Sequence, residues 1–308
     1  MKIGIIGTGG VGGYFGGKLA QAGHEVIFIA RGAHLVAMKQ NGLQVKSIKG
    51  DFTIQPVYAT DRLEELRGVD LILFGVKAWQ IKEIAKQLKE VIDEKTILLP
   101  LQNGVLSSEE LQAILPENHV LGGLCRIISK IESPGVIVHV AVNPTITFGE
   151  LTNEVTETVL QLKQTFDDAG IEAFLAKDIQ AERWKKYISI CVSGLLAITK
   201  TNYGELRTIP ETRQLMIQLI TEVYNVAQGA NISLPANFVE KTIAITDSLP
   251  FISNSSMARD IWGGKPSELE YQNGTVVRLG KQYGIETPVN QFVYSCLLPQ
   301  EMKARKMQ

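Results

Sequence analysis

Residues 7–12, GTGGVG, set three glycines at the spacing G-x-G-x-x-G, and the chemistry such a turn serves is the binding of a phosphate-bearing dinucleotide. Gly7 suits a tight turn, and Gly9 lets the backbone reach a diphosphate. Gly12 lets helix and strand pack closely, so that the anion rests on the helix N-terminus. Thr8, Gly10 and Val11 complete the turn and belong to the same expected site. About 20 residues on, where NAD enzymes place an Asp or Glu for the ribose hydroxyls, the chain has Ala30 and then Arg31. A guanidinium there suits a 2′-phosphate, a charge-assisted contact that contributes about 1.5–3 kcal/mol. NADPH is therefore the expected cofactor, ahead of NADH.

Such a turn works only between a strand and a helix, and the surrounding pattern supplies both. Residues 2–6 (KIGII) read as a strand, 10–22 as a helix, 25–29 (EVIFI) as a strand and 32–41 as a helix. The rhythm continues with a buried strand at 70–76, a helix at 78–91 with Ile81, Ile84, Ala85 and Leu88 on one face, and a strand at 96–101. Shorter strands are expected near 119–123, 135–140 and 145–149, then a helix at 153–169 and a strand at 171–175. Beyond residue 178 helical patterns dominate, punctuated by Pro210, Pro235, Pro250 and Pro266. The expected fold is α/β: a Rossmann-type dinucleotide-binding sheet domain over 1–177, followed by an all-helical substrate domain over 178–308. Gly13, Gly16 and Gly17 are each unfavourable in a helix by about 1 kcal/mol relative to Ala. Close packing of that helix on the sheet or on a ligand would explain them.

Composition narrows the partner. Lys and Arg number 31 against 32 Asp and Glu, so no net field recruits a nucleic acid or an anionic membrane, and a small molecule is expected. Cys125, Cys191 and Cys296 are few, odd in number and far apart, which suggests neither a disulfide framework nor a metal site. Met1 and Lys2 run straight into the first strand and glycine turn, leaving no room for a signal peptide, and no apolar run approaches the ~18 residues of a membrane helix. A cytoplasmic location is the expectation.

Further segments resemble one family. VKAWQ at 76–80, LQNG at 101–104, WKK at 184–186, SSM-x-x-D at 255–260 and E-x-x-Y-x-N-G at 268–274 join the glycine turn and Arg31 in an order and spacing similar to ketopantoate reductase, the NADPH-dependent enzyme that reduces 2-dehydropantoate to pantoate on the route to coenzyme A. The resemblance covers nearly the whole chain. It implies that Lys186 gives a proton to the ketone oxygen, that Glu268 orients substrate and lysine, and that Ser256 holds the substrate carboxylate. It also implies that Asn103 lies between nicotinamide and substrate, and that Lys77 and Gln80 serve the cofactor. In families with this plan the substrate closes between the domains, and the helical half often forms a homodimer.

The residues themselves support a lysine donor. Reduction of a ketone needs a proton beside the oxygen, and histidine is the usual source. All four histidines, His24, His34, His119 and His139, lie in the sheet half, outside any recognisable catalytic setting. Lys185 and Lys186 point about 100° apart on a helix, so at most one of them faces the site. Alone, the pair also reads as two solvated lysines flanking Trp184. Glu268 equally reads as a first-turn acid of a capped helix, and Ser255 or Ser256 as an N-cap.

The pattern breaks at two positions. Four and eight residues after the lysine, ketopantoate reductases commonly carry asparagines that bond the substrate; this chain has Ile190 and Gly194. Either Ser189 and Ser193 compensate, or the substrate is another branched 2-oxo acid, as for a D-2-hydroxy acid dehydrogenase. A 3-hydroxy acid dehydrogenase fits the LQNG and SSM segments less well, and a non-catalytic NADPH sensor is the competitor from outside enzymology.

Overall fold

The computed structural model describes residues 1–306. It comprises two compact units. The first is Met1–Gln102 with Leu106–Ile179; the second is Asn103–Val105 with the chain from Gln180 on.

The first unit carries strands β1 (Lys2–Ile6), β2 (Glu25–Ile29), β3 (Leu43–Ser47), β4 (Phe52–Ile54), β5 (Tyr58–Thr60), β6 (Leu71–Phe74), β7 (Ile97–Pro100), β8 (His119–Ser133), β9 (Val136–Glu150) and β10 (Glu172–Leu175). Helices α1 (Gly10–Gln21), α2 (Gly32–Asn41), α3 (Ile81–Leu88), α4 (Ser107–Ile114) and α5 (Glu157–Asp168) alternate with them. The strands form one sheet in the order β4-β3-β9-β8-β7-β6-β1-β2-β5, with β10 against β9. Its centre is parallel, Ile3 standing opposite Val26 on one side and Leu71 on the other.

Both faces of that centre are buried, which is why its strands read as unbroken apolar runs. Leu71 and Leu73 join Ile3, Ile5, Phe15 and Leu19 in the core beneath α1. Ile72 and Phe74 join Ile6, Ile81, Ile84 and Leu88 in a second core beneath α3. Each fully buried Phe or Leu here contributes about 1.5–3 kcal/mol. The surplus glycines of α1 are explained by the same packing. A Cβ at Gly13 would stand 2.7 Å from Ile137 of β9, at Gly16 2.7 Å from Ile5 of β1, and at Gly17 2.8 Å from Phe52 of β4. The helix thus lies on the sheet with only hydrogen atoms between.

The α/β, Rossmann-type plan with a helical second half is what the structure shows. Details differ from the sequence expectation. The segments near 135–140 and 145–149 are one 15-residue strand, β9, paired antiparallel with the 15-residue β8. Asn143 and Pro144 read as a break because polar and proline residues usually end strands, but the ribbon absorbs them where its register shifts. The strands β4 and β5, of three residues each, have too few for a period to declare itself, and β3 (LQVKS) mixes polar residues into its five. Helix α3 is shorter than 78–91, since Ala78–Gln80 form a 3₁₀ turn ahead of it.

The second unit contains α6 (Ile179–Ile190), α7 (Ser193–Thr199), α8 (Tyr203–Thr208), α9 (Pro210–Gly229), α10 (Phe238–Ser248), α11 (Ser256–Trp262), a π-helical turn at Glu270–Gly274, α12 (Thr275–Tyr283) and α13 (Pro288–Lys306). A buried carboxylate fastens the last of these. Glu222 of α9 accepts from the backbone N–H groups of Val289 and Asn290 at 2.8 and 2.9 Å, supplying the negative charge that a helix N-terminus favours. Among the described residues no helix is long and apolar enough to cross a membrane.

Candidate active site

The glycine turn has the geometry its spacing calls for. Gly7 takes a φ of +93°, a conformation that residues with a Cβ rarely adopt. A side chain at Gly12 would run into the Gly7 carbonyl oxygen, and one at Gly75 would stand 2.9 Å from both the Gly12 nitrogen and that oxygen. Gly9 differs: a Cβ there would meet no protein atom within 4 Å. The turn is therefore closed behind and open at Gly9, the N-cap of α1. That helix has neither a side-chain cap nor an acidic residue in its first turn, so its leading N–H groups are left for an anion.

Thr8 fixes the turn to the neighbouring strand. Its hydroxyl and its N–H both donate to the Ile29 carbonyl, at 3.0 and 3.2 Å, so this side chain is committed to the protein. Ile29 ends β2, and Arg31 follows as the exposed N-cap of α2. One turn into that helix, His34 Nδ1 accepts from the Gly135 N–H at 3.0 Å. Burial pushes this imidazole below its ordinary range, opposed by the Thr8 backbone. In the same unit the Lys77 N–H donates to Gln80 Oε1 at 3.2 Å, and the Lys77 ammonium stands 5.9 Å over the Trp79 ring. Gly7–Gly12, Arg31, Lys77 and Gln80 are thus all carried at the C-terminal ends of β1, β2 and β6, the end at which open α/β sheets bind ligands.

Asn103, Lys186, Ser256 and Glu268 belong to the helical unit. Two of them are joined directly. Asn103 Nδ2 donates to Glu268 Oε2 at 3.1 Å across 165 residues of sequence, a hydrogen bond to a carboxylate that is only 3% exposed. Bonds of this charged kind contribute about 1.5–3 kcal/mol. Lys186 is half-buried on α6, and the next residue, Tyr187, is fully buried and donates its hydroxyl to the Gln272 carbonyl at 2.6 Å. That bond ties the lysine helix to the segment following Glu268. Burial holds the Tyr187 hydroxyl well above the usual phenol range, so it remains a donor. Ser256 lies apart from these contacts, exposed at the start of α11, and Ser255 rather than Ser256 is the cap, accepting from the Ala258 N–H at 3.1 Å.

The Glu-x-x-Tyr-x-Asn-Gly run explains itself here. Gln272 N–H bonds the Glu268 carbonyl in the ordinary helical way, but Gly274 N–H reaches back five residues to Leu269, opening a π-turn. Asn273 is fully buried within it and donates to the Cys191 carbonyl at 3.1 Å and to Asn290 Oδ1 at 2.9 Å. The expected ordinary helix start at Glu268 is thus a wider turn, because Tyr187 and Asn273 draw its backbone and side chains onto α6 and α13.

Residues 190 and 194 are resolved by the same packing. Helix α6 ends at Ile190 and α7 restarts at Ser193, so the two positions do not continue one helical face. Ile190 is half-buried. Any side chain at Gly194 would overlap Asn273 Oδ1 and Val293. Of the two serines one position earlier, the Ser189 hydroxyl donates to the Lys186 carbonyl at 2.7 Å, and Ser193 is 2% exposed.

Sequence reasoning missed the groups that hold these residues. Arg183, 3% exposed, donates to the Val105 carbonyl at 2.6 Å and so fastens the loop bearing Asn103 to α6. Its only sequence signal is a charge three residues before Lys186. Glu301 and Arg305 of α13 hold Ser267, as described below. An i, i+4 Glu and Arg on a terminal helix reads as a solvated pair.

Comparisons with known proteins follow this geometry. Residues 3–153 match the family model described as Ketopantoate reductase PanE/ApbA, and residues 178–301 match its companion, Ketopantoate reductase PanE/ApbA C terminal. A 2-dehydropantoate 2-reductase of Nostoc sp. is 32% identical over 294 residues, covering 93% of this chain and 91% of that protein. The crystal structure of a PanE/ApbA family ketopantoate reductase from Ralstonia eutropha JMP134 superposes with a TM-score of 0.92 at 30% identity, covering 99% of this chain and 100% of that one. A D-mandelate dehydrogenase solved with NADH gives a TM-score of 0.85 at 25% identity, with 98% and 99% covered.

Proposed function

The chain belongs to the ketopantoate reductase family of oxidoreductases, and on that premise we propose that it reduces 2-dehydropantoate to pantoate with NADPH. The observation that carries the reading is the Asn103–Glu268 hydrogen bond, which unites two of the four substrate-side residues from distant segments. The residues of the sheet unit fit the dinucleotide. Gly9 faces open space, α1 has an uncapped N-terminus, and Arg31 stands where an acid would disfavour a 2′-phosphate. Lys77 and Gln80 complete that set.

When bound, NADPH supplies the hydride to the ketone carbon. The chain supplies everything else. Lys186 polarises the carbonyl and gives its proton to the oxygen as charge develops there. Glu268 orients lysine and substrate. Asn103 fixes the carboxylate rotamer. Ser256 meets the substrate carboxylate from the first turn of α11.

A second reading has its own support. Gly194 is turned onto Asn273 and Val293, the Ser189 hydroxyl donates its proton to the Lys186 carbonyl, and Ser193 is buried. Ile190 leaves this side of the site less polar, which suits a branched 2-oxo acid without a hydroxyl, and the D-mandelate dehydrogenase shares the fold. Assays with NADPH against ketopantoate and 2-oxoisovalerate separate the two. A higher kcat/KM for ketopantoate is expected; a higher value for 2-oxoisovalerate gives the second reading the substrate.

A further inference from the structure

Glu268 follows a residue held with unusual completeness. Ser267 is fully buried, and each of its polar groups is engaged by two side chains of α13. Its N–H donates to both oxygens of Glu301, at 3.1 and 3.0 Å, and its hydroxyl donates to Glu301 Oε2 at 2.5 Å. Its carbonyl accepts from the Arg305 guanidinium at 3.1 Å, which also pairs with Glu301 Oε1 at 2.7 Å. The Ser267 hydroxyl oxygen accepts in turn from the Leu269 N–H at 3.2 Å, closing a loop around residue 268.

A carboxylate only 5% exposed is costly to bury unless it is paired and fully bonded, and here the pairing serves a backbone segment with no other visible need of it. We propose that Glu301 and Arg305 are positioning residues: by clamping the peptide units on both sides of Ser267 they set the direction in which the Glu268 carboxylate leaves the chain. The inference rests on the reading of Glu268 as a substrate-orienting acid. Asn103 then selects the rotamer of a side chain whose origin α13 has already fixed. Displacement of a catalytic group by about 1 Å can cost on the order of 100-fold in rate, so loss of the clamp falls on turnover rather than on cofactor binding.

Arg305 is the better probe, because its side chain is 36% exposed and its loss opens no cavity in the core. In the purified enzyme with NADPH and ketopantoate, Arg305→Ala is expected to lower kcat about tenfold with the NADPH dissociation constant unchanged, and Arg305→Lys to recover most of it. Placed in a Glu268→Gln background, read at high enzyme concentration, Arg305→Ala should cost nothing further, since the clamp acts only through Glu268. Glu301→Gln, which keeps the volume, should follow Arg305→Ala. If Glu268→Gln lowers turnover while Arg305→Ala and Glu301→Gln leave kcat untouched, or if the losses multiply, the clamp is structural and the inference falls alone. If Glu268→Gln itself leaves kcat unchanged, the reading of Glu268 falls, and the inference with it.

Discussion

The glycine turn of the sheet unit occupies six consecutive residues and is shaped by backbone, while the Asn103–Glu268 pair of the helical unit joins side chains 165 positions apart through a buried polar bond. The turn's geometry depends on atoms being missing: Gly7, Gly12 and Gly75 close on one another with no room for a Cβ. The helical unit's geometry depends on atoms being present and satisfied, with Arg183, Tyr187, Glu301 and Arg305 each occupied in holding a neighbour. The first is expected to break on adding a methyl group and the second on removing a polar one.

The largest expected effect tests the second half of that contrast. Lys186→Ala should lower kcat with ketopantoate by about three orders of magnitude or more, within the range of general-acid catalysis and carbonyl polarisation combined, and leave the fluorescence titration with NADPH unchanged. A dinucleotide sensor would show no difference, and weakened NADPH binding would erase the division of labour between the units. Gly12→Ala is the converse. The added Cβ collides with the Gly7 carbonyl, so the NADPH dissociation constant should rise roughly 100-fold, about 2.7 kcal/mol. Unchanged NADPH affinity would mean the turn tolerates added atoms after all. Arg31→Ala should have the smallest effect: kcat/KM with NADPH falls by roughly one to two decades while the value with NADH holds. Parallel losses for both cofactors would deny Arg31 a part in choosing between them.

This contrast also explains what was legible in the residues. GTGGVG, the strand before it and the helix after it could be read because the information is local and glycine has few other reasons to recur at that spacing. The apolar runs of β1, β2, β6 and β7 announced a sheet covered on both faces. The helical unit was legible as helix but not as a site. Nothing near Glu301 indicates that its partner is Ser267, and a π-turn at Glu270–Gly274 has no period of its own to betray it. Lys186, Glu268, Ser256 and Asn103 are read through family resemblance, and the Asn103–Glu268 contact gives two of them a reason in the molecule. The meaning of Gly194 was out of reach for the same reason: it is small because Asn273, 79 positions later, needs the space.

The segment Asn103–Val105 packs with the helical unit although the residues on either side of it belong to the sheet unit. The helical unit is therefore not one contiguous stretch of polypeptide. A fragment beginning after residue 177 would lack Asn103 and leave the Glu268 carboxylate and the Arg183 guanidinium each short of a hydrogen-bond partner. A crossover at the junction of the two family models would thus separate three residues from the unit they pack with.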